Sequence, residues 1–313
     1  MDSFYIIDGH CDTIEIIADQ GLNMFQEQKC QVTLEGLKMG KVGLQFFAAF
    51  VAPKGSRPCL QRGLKLIDAY HAMTDQYQHS FQRVLKFDDI AQAVQQGKIG
   101  SMLTVEGGDV LEGELLNLRI LYSLGVRAMT LTWNYRNEIA DGVLESRSKG
   151  GLSSFGHDVI NEMNRLGMLI DVSHLSENGF YSVLEASKKP VAATHSNAWA
   201  LQPHPRNLTN DQIKSLANSG GVMGINFYPD FLSGQQASLN DIIRHIEYII
   251  DLAGIDVVVF GSDFDGIERL PEGISGPQHF EKVINALFKR NYKEEDVRKV
   301  AYKNYLRLLK DIL

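Results

Sequence analysis

Short apolar runs recur along the whole chain and are separated by longer segments with apolar residues at helical spacing. Eight runs are rich in β-branched or aromatic residues, and several are apolar at consecutive positions. Such runs are typical of strands that are covered on both faces, as in parallel sheets. The predicted strands are residues 5–8, 42–51, 100–105, 127–132, 168–172, 191–194, 222–227 and 257–261.

The segments between these runs carry the signals of helices. Asn210 and Asp211 suit the N-terminal cap of one helix. Gly125, Gly167 and Gly254 directly follow others, as is common at C-terminal caps. The predicted helices are residues 60–81, 114–124, 155–166, 176–186, 210–218, 239–252 and 278–288, followed by an extra helix over 294–313.

Strands that alternate with helices through the whole chain predict βα units and therefore an α/β fold. Eight such units favour a (β/α)8 TIM barrel, which the last helix would close. The main alternative is a doubly wound open sheet, but no GxGxxG follows the first strand to support it. No repeat, low-complexity tract or Pro/Ser-rich linker interrupts the pattern, so a single domain over residues 1–313 is expected.

The amino-acid composition favours some classes of protein over others. The 313 residues are 44% hydrophobic and 22% charged, with a formal net charge of −7. This balance is typical of a globular protein and offers no basic excess for nucleic acid. The three cysteines, Cys11, Cys30 and Cys59, imply no disulfide framework and are expected to fill space. Without a signal peptide or a long apolar run, we expect a cytoplasmic protein with no membrane partner.

Residues that bind metals or move protons cluster where the predicted strands end. In a barrel, the active site collects at the C-terminal ends of the strands. Five of the eight ends carry His, Asp or Glu, and scattered surface charges would not select strand ends so consistently. These ends lie at residues 8–12, 105–108, 171–174, 193–196 and 261–266.

The residue types at these ends predict a metal centre. His10 and Asp12 share one face of an extended chain. With Glu106, His174 and His195 they form a mixed nitrogen and carboxylate set that suits zinc or a similar divalent ion. Five ligands exceed the four of one tetrahedral zinc, so a bridging Glu106 between two metals is expected. Two metals can hold a hydroxide nucleophile and polarise a carbonyl oxygen.

An Asp at the eighth strand end would take the proton of that hydroxide and pass it to a leaving amine. Each feature is weak alone, because a His-x-Asp pair occurs often by chance. Gly107 and Gly108 lack a following Lys-Ser/Thr, so close packing is favoured over phosphate binding. The remaining histidines are expected to be structural or solvent-facing: His71, His79, His157, His204, His245 and His279.

These motifs resemble the membrane (renal) dipeptidase family of zinc peptidases, including its bacterial members. The matching segments appear in family order and together are highly specific. They are DGHCD (8–12), TVEGGD (104–109), GLSSFG (151–156), IDVSH (170–174), ATHSNA (193–198), PRNLTNDQI (205–213), GGVMGINF (220–227) and GSDFDG (261–266). The resemblance implies an amidohydrolase-type barrel, a soluble bacterial-type member and a possible homodimer.

The resemblance also assigns the ligands of two zinc ions per chain. His10 and Asp12 would bind one zinc, and Glu106 would bridge both. His174 and His195 would bind the second.

The same resemblance assigns residues to the substrate. Arg206 would hold the substrate's C-terminal carboxylate, a role that suits the bidentate guanidinium. Asp263, nearest the strand end, is preferred as the acid/base residue. Asp265 is its rival, or would bind the substrate's free amine.

One departure from the family lies after the fourth strand. Mammalian members have a histidine there that helps to polarise the scissile carbonyl, whereas this chain has Trp133. Tryptophan donates one hydrogen bond but cannot become cationic. Asn134 or Tyr135 could serve instead, and for Trp133 itself a direct catalytic role and a role only as a wall of the pocket both stay open.

The leading hypothesis is a zinc-dependent dipeptidase. The resemblance adds tolerance for a D-residue at the C-terminal position and, in some members, β-lactam ring opening. An amidohydrolase acting on N-acyl amino acids or cyclic amides is the alternative. A non-catalytic metal- or partner-binding barrel is the third, although competent residues occupy every ligand position. The loop over residues 228–238 is expected to shape the pocket.

Overall fold

Eight parallel strands close into a barrel in the computed structural model, which describes residues 4–21, 30–52, 58–234 and 236–313. The ring runs β1–β2–β4–β5–β6–β7–β8–β9 and back to β1, with β3 outside it. The described strands are β1 (Ile6–Asp8), β2 (Val42–Phe50), β3 (Phe81–Arg83), β4 (Ile99–Glu106), β5 (Val126–Thr130), β6 (Leu169–Asp171), β7 (Ala192–Ala193), β8 (Val222–Ile225) and β9 (Val258–Phe260). The predicted TIM barrel is thereby confirmed.

Helices follow the strands along the chain and surround the barrel. In the described residues they are α1 (Thr13–Gln20), α2 (Leu34–Met39), α3 (Cys59–Gln76), α4 (Phe87–Gln95), α5 (Leu115–Ser123), α6 (Ser154–Leu166), α7 (Glu177–Ala186), α8 (Asn210–Asn218), α9 (Pro229–Leu232), α10 (Leu239–Ala253), α11 (Phe280–Lys289), α12 (Glu294–Arg298) and α13 (Asn304–Ile312). Short 3-10 turns lie at Gly108–Leu111, Val143–Ser148, Ile255–Val257 and Pro277–His279. Among the described helices, none has the length and apolar character needed to cross a membrane.

The helix predicted over residues 60–81 is wrong at its end. Helix α3 ends at Gln76, and Phe81–Arg83 forms β3, which pairs with the first residues of β4. Three residues are too few for a period-2 pattern to be recognised. The extra helix over 294–313 is also interrupted, because a π-helical turn at Lys299–Lys303 separates α12 from α13. Helices α1, α2, α4 and the short α9 were not predicted.

Strand β2 shows why consecutive apolar residues indicate a barrel strand. Phe46 and Phe47 are adjacent, so their side chains point to opposite faces of the sheet, and both are fully buried. Phe47 packs against Tyr70 of α3, and Phe46 packs against Tyr305 of α13. Both faces of the strand are therefore covered, as its composition predicts.

The register of neighbouring strands brings their C-terminal ends to one edge of the barrel. Phe50 at the end of β2 lies opposite Glu106 at the end of β4, and Glu106 lies opposite Thr130 of β5. On the other side of the ring, Asp8 lies opposite Phe260. The residues that directly follow these ends therefore meet at a common mouth.

Gly107 turns the chain away from the mouth directly after Glu106. Its φ is +103°, and a Cβ there would lie 1.9 Å from the backbone oxygen of Val51. We expect Gly107→Ala to lower the free energy of unfolding by about 1–3 kcal/mol from backbone strain and by a similar amount from the clash. Urea unfolding measures this loss.

Gly97→Ala is the matched control for that variant. Gly97 also has a positive φ, +66°, but a Cβ there would meet nothing within 4 Å. Only the strain remains, at about 1–2 kcal/mol. Equal losses in the two variants would contradict the proposed packing at Gly107.

Candidate active site

Six polar side chains meet at the mouth, and all are buried. They come from five strand ends that lie far apart in the sequence. They are His10 and Asp12 after β1, Glu106 at the end of β4, His174 after β6, His195 after β7 and Asp263 after β9. The sequence-predicted ligand residues and the preferred Asp are thus brought together in space.

One oxygen of Glu106 faces the residues that follow β1. Glu106 Oε2 lies 3.3 Å from His10 Nε2, which also lies 3.3 Å from Asp12 Oδ2. Asp263 Oδ1 is 3.8 Å from the same nitrogen. These four side chains form the first half of the cluster.

The other oxygen of Glu106 faces the two remaining histidines. Glu106 Oε1 lies 2.9 Å from His174 Nε2 and 3.6 Å from His195 Nε2. The two Nε2 atoms are 3.0 Å apart. The Glu106 carboxylate therefore lies between two sets of donor atoms, which approach each other where donor atoms of His10 and His195 lie within 4.8 Å.

The donor set fits divalent cations. His10 Nε2 and Asp12 Oδ1 are buried without a hydrogen-bond partner among the described residues. His174 Nδ1 lies 2.7 Å from the amide oxygen of Asn134, so the proton belongs on Nδ1 and Nε2 keeps its lone pair. Metal-binding histidines characteristically donate their second ring nitrogen in this way.

The pKa values of the cluster reflect its burial. Burial and the charge of Arg206 lower the pKa of His174 to about 4, so the ring is neutral at pH 7. Burial and the neighbouring Glu106 carboxylate raise the pKa of Asp263 to about 6 and that of Asp12 to about 7, although the charge of His10 opposes both shifts. A divalent cation would offset the cost of holding these carboxylates together.

A cavity of about 500 Å³ opens onto the cluster. Arg206 lines it, is 5% exposed and donates from one terminal nitrogen to the backbone oxygen of His195. Its Nε has no hydrogen-bond partner among the described residues, and burial lowers its pKa to about 10. Arg206 therefore presents a buried cation with a free donor, which suits an anionic group.

The two aspartates of the last motif have different surroundings. Asp263 Oδ2 accepts a hydrogen bond from Asn226 at 2.8 Å, which leaves Oδ1 beside His10. Asp265 also lines the cavity, but its oxygens accept hydrogen bonds from the Thr13 hydroxyl and from the backbone nitrogens of residues 31 and 32. Asp265 is thus engaged with other segments of the chain, whereas Asp263 belongs to the cluster.

The three residues after β5 that were considered for contact with the scissile carbonyl also have different surroundings. Trp133 lines the cavity, with its ring 5.4 Å from Phe50 and 5.8 Å from Tyr135. Asn134 lines it too, but its amide oxygen is engaged by His174. Tyr135 is 52% exposed and does not line this cavity.

The sequence analysis missed several residues of the site. His204 was expected to be structural or solvent-facing, but it lines the cavity, and its Nδ1 accepts the backbone N–H of Arg206. Its position two residues before Arg206 was the available signal. Asn226, which holds Asp263, directly follows β8 within the GGVMGINF motif. By contrast, the loop over residues 228–238 was expected to shape the pocket; it contains helix α9, and its Tyr228 and Phe231 line the cavity.

His245 joins two segments that frame the cavity. Its Nδ1 accepts the backbone N–H of Ala198, and its Nε2 donates to the backbone oxygen of Leu232. Only the neutral ring can make both bonds, and burial lowers the pKa of His245 to about 4.

Comparison with known proteins places the chain among metallopeptidases. The model of the membrane dipeptidase family, peptidase family M19, matches residues 1–312. An uncharacterised dipeptidase of Schizosaccharomyces pombe is 35% identical over 292 residues, which cover 88% of this chain and 70% of that protein. A metallopeptidase structure from Rhodobacter sphaeroides, bound to a phosphinate mimic of the dipeptide L-Ala-D-Ala, is 25% identical and covers 100% of both chains with a TM-score of 0.91. The structure of a family M19 dipeptidase is 27% identical over 99% of both chains, also with a TM-score of 0.91.

The pKa of His245 predicts a pH dependence of stability. Between pH 6.5 and 4 the unfolded chain binds a proton that the folded chain excludes, so the free energy of unfolding falls as the pH falls. The loss amounts to roughly 3 kcal/mol at about 1.4 kcal/mol per pH unit. We expect His245→Gln to lack this loss. Urea unfolding of the metal-free proteins across this range measures it, and parallel curves for the two proteins would contradict the assignment.

Proposed function

Because the chain belongs to the membrane dipeptidase family of metallopeptidases, we propose that it is a binuclear zinc dipeptidase that cleaves the single peptide bond of dipeptides. The observation that carries this proposal is the divided donor cluster around Glu106, which shares one cavity with the buried guanidinium of Arg206. The cluster suits two metals, and the guanidinium suits a free carboxylate close to the reacting bond.

The donor atoms support a distinct role for each ligand. His10 and Asp12 would hold one zinc, His174 and His195 the other, and Glu106 would bridge the two through its separate oxygens. Two zinc ions held by these residues would supply an activated water and a Lewis acid for the scissile carbonyl.

Asp263 would carry the proton. Its Oδ1 faces the cluster while Asn226 holds Oδ2, so the carboxylate is oriented toward the place where the water would react. Asp263 accepts the proton of the water and then donates it to the nitrogen of the leaving amino acid. With Glu106, it forms the catalytic pair of this proposal.

The rest of the cavity would select the substrate. Arg206 binds the C-terminal carboxylate, and the negative charge of Asp265 favours the free ammonium group although its oxygens are engaged. Trp133 acts as a wall, Asn134 orients His174, and Tyr135 supports Trp133 from outside the cavity. The mimic of L-Ala-D-Ala in the Rhodobacter sphaeroides structure supports tolerance of a C-terminal D-residue. The homodimer and the cytoplasmic location stay predictions.

Hydrolysis of dipeptides by metal-stripped and zinc-reloaded protein tests the proposal. We expect reloaded protein to bind two zinc equivalents and to release amino acids from dipeptides with an L- or a D-residue at the C-terminus. Tripeptides are the control and should resist cleavage, because Arg206 and the cluster together accommodate one peptide bond. Two bound zinc ions without dipeptide turnover would instead favour N-acyl amino acids or cyclic amides, and failure to bind zinc would favour a non-catalytic barrel.

Arg206→Met tests the orientation of the substrate. Loss of the guanidinium should lower kcat/KM for dipeptides roughly 30-fold or more, because the substrate carboxylate loses its buried partner. This change corresponds to a loss of about 2–5 kcal/mol of transition-state stabilisation. Dipeptide amides lack this carboxylate, so wild type and variant should cleave them at similar, low rates. Arg165→Met removes an exposed guanidinium that pairs with Glu162 and is the control. An equal loss on dipeptides and their amides would refute this orientation.

A further inference from the structure

His195 is linked to a buried carboxylate through a single hydroxyl group. Its Nδ1 lies 2.8 Å from Thr194 Oγ1, which lies 2.6 Å from Asp171 Oδ2. All three residues are at most 2% exposed. None of the contacts reaches the cavity, so this chain of hydrogen bonds has no role in substrate binding.

The Asp171 carboxylate is surrounded by donors. Its Oδ1 accepts the backbone N–H groups of Ser173 and Thr194 at 2.9 and 3.0 Å. Its Oδ2 lies 2.6 Å from the hydroxyl groups of both Thr130 and Thr194. Two N–H groups and two hydroxyls satisfy an ionised carboxylate, which has no proton of its own to donate.

This arrangement determines where the protons lie. The Thr194 hydroxyl has one proton, which it donates to Asp171, so its oxygen can only accept from His195. The proton of the neutral His195 ring must then lie on Nδ1. Its Nε2, 3.6 Å from Glu106 Oε1, keeps the lone pair that a metal ligand requires.

We propose that Asp171 and Thr194 are positioning residues that hold His195 in the tautomer able to bind a metal through Nε2. The inference rests on the proposed zinc site and extends it to residues that touch neither metal nor substrate. Asp171 ends β6, while Thr130 ends β5 and Thr194 follows β7. The same carboxylate therefore also ties together three neighbouring strand ends, two of which lead into His174 and His195.

Thr194→Val tests the hydroxyl link with little change of shape. Without the hydroxyl, His195 Nδ1 loses the hydrogen-bond partner that sets its tautomer, and zinc affinity should fall about 10–100-fold, as for other partners of metal-binding histidines. Thr194→Ser restores the hydroxyl and should restore the affinity. Thr130→Val removes the other hydroxyl from Asp171 but keeps the link to His195, so it should retain wild-type affinity. Competition with a chelator measures zinc binding by each full-length variant.

Asp171→Asn gives a signature that a merely structural role would not produce. The two backbone N–H groups would still require an oxygen, so the amide NH₂ would face the hydroxyls. Thr194 would then accept from the amide and donate to His195 Nδ1, which moves the ring proton to Nε2. Nitrogen-15 NMR of the histidine rings in the metal-free protein reads this change directly.

The two readouts separate the possible failures. Unchanged zinc affinity in Thr194→Val, or an unchanged His195 tautomer in Asp171→Asn, would overturn the inference even if wild type binds two zinc ions. If wild type itself bound no zinc, the proposed function would fail. The NMR measurement would still decide whether Asp171 and Thr194 fix the His195 tautomer.

Discussion

The position of one buried carboxylate, Glu106, governs the arrangement of the site. Its two oxygens face different donor sets, with His10 on one side and His174 on the other. These residues follow strands on either side of β4 in the closed ring, so the cluster exists only if the barrel closes in the observed register. The pairing of Phe50 with Glu106, and of Glu106 with Thr130, fixes that register at the mouth. The site therefore forms only when the barrel closes.

Burying several polar groups together costs free energy of folding, and the packing of the barrel must offset this cost. Carboxylates are expensive to bury without a positive partner. His174 and Asp263 have left-handed backbone conformations, with φ values of 67° and 65°. Each such conformation costs on the order of 1–3 kcal/mol and persists only where the surrounding structure enforces it. Strands buried on both faces supply that stabilisation, and these two residues lie at the mouth, where the chain leaves the strands.

The sequence predicts the barrel and the cluster because both depend on local patterns. An apolar run marks a strand, and the polar residue that follows it lies at the mouth whatever the rest of the chain does. Contacts between distant segments are not encoded in this way. The hydrogen bond from Thr13 to Asp265 joins residues 252 positions apart, and nothing near Asp265 announces it. Folding also brings together the distant segments that place Asn226 beside Asp263 and His204 in the cavity wall. Strand β3 was missed because it is short and gains its pairing from β4.

The surroundings of Trp133 bear on how the active site differs from that of mammalian family members. Its ring makes edge-type contacts with Phe50 and Tyr135, at interplanar angles of 64° and 61°, and aromatic pairs of this kind contribute about 0.5–1.5 kcal/mol each. A ring held from two sides is a rigid surface, which suits a wall that limits substrate size. A group that polarises a carbonyl needs positive charge or an available donor. The amide oxygen of Asn134 is engaged by His174, which leaves its NH₂ group and the Trp133 indole N–H as the neutral donors of this segment. Among the described residues that line this cavity, Arg206 is the only Lys or Arg, and the proposal assigns it to the substrate carboxylate. Neither Asn134 nor Trp133 carries a positive charge, so in the proposed mechanism the metal centre would polarise the scissile bond and Trp133 would mainly contribute shape.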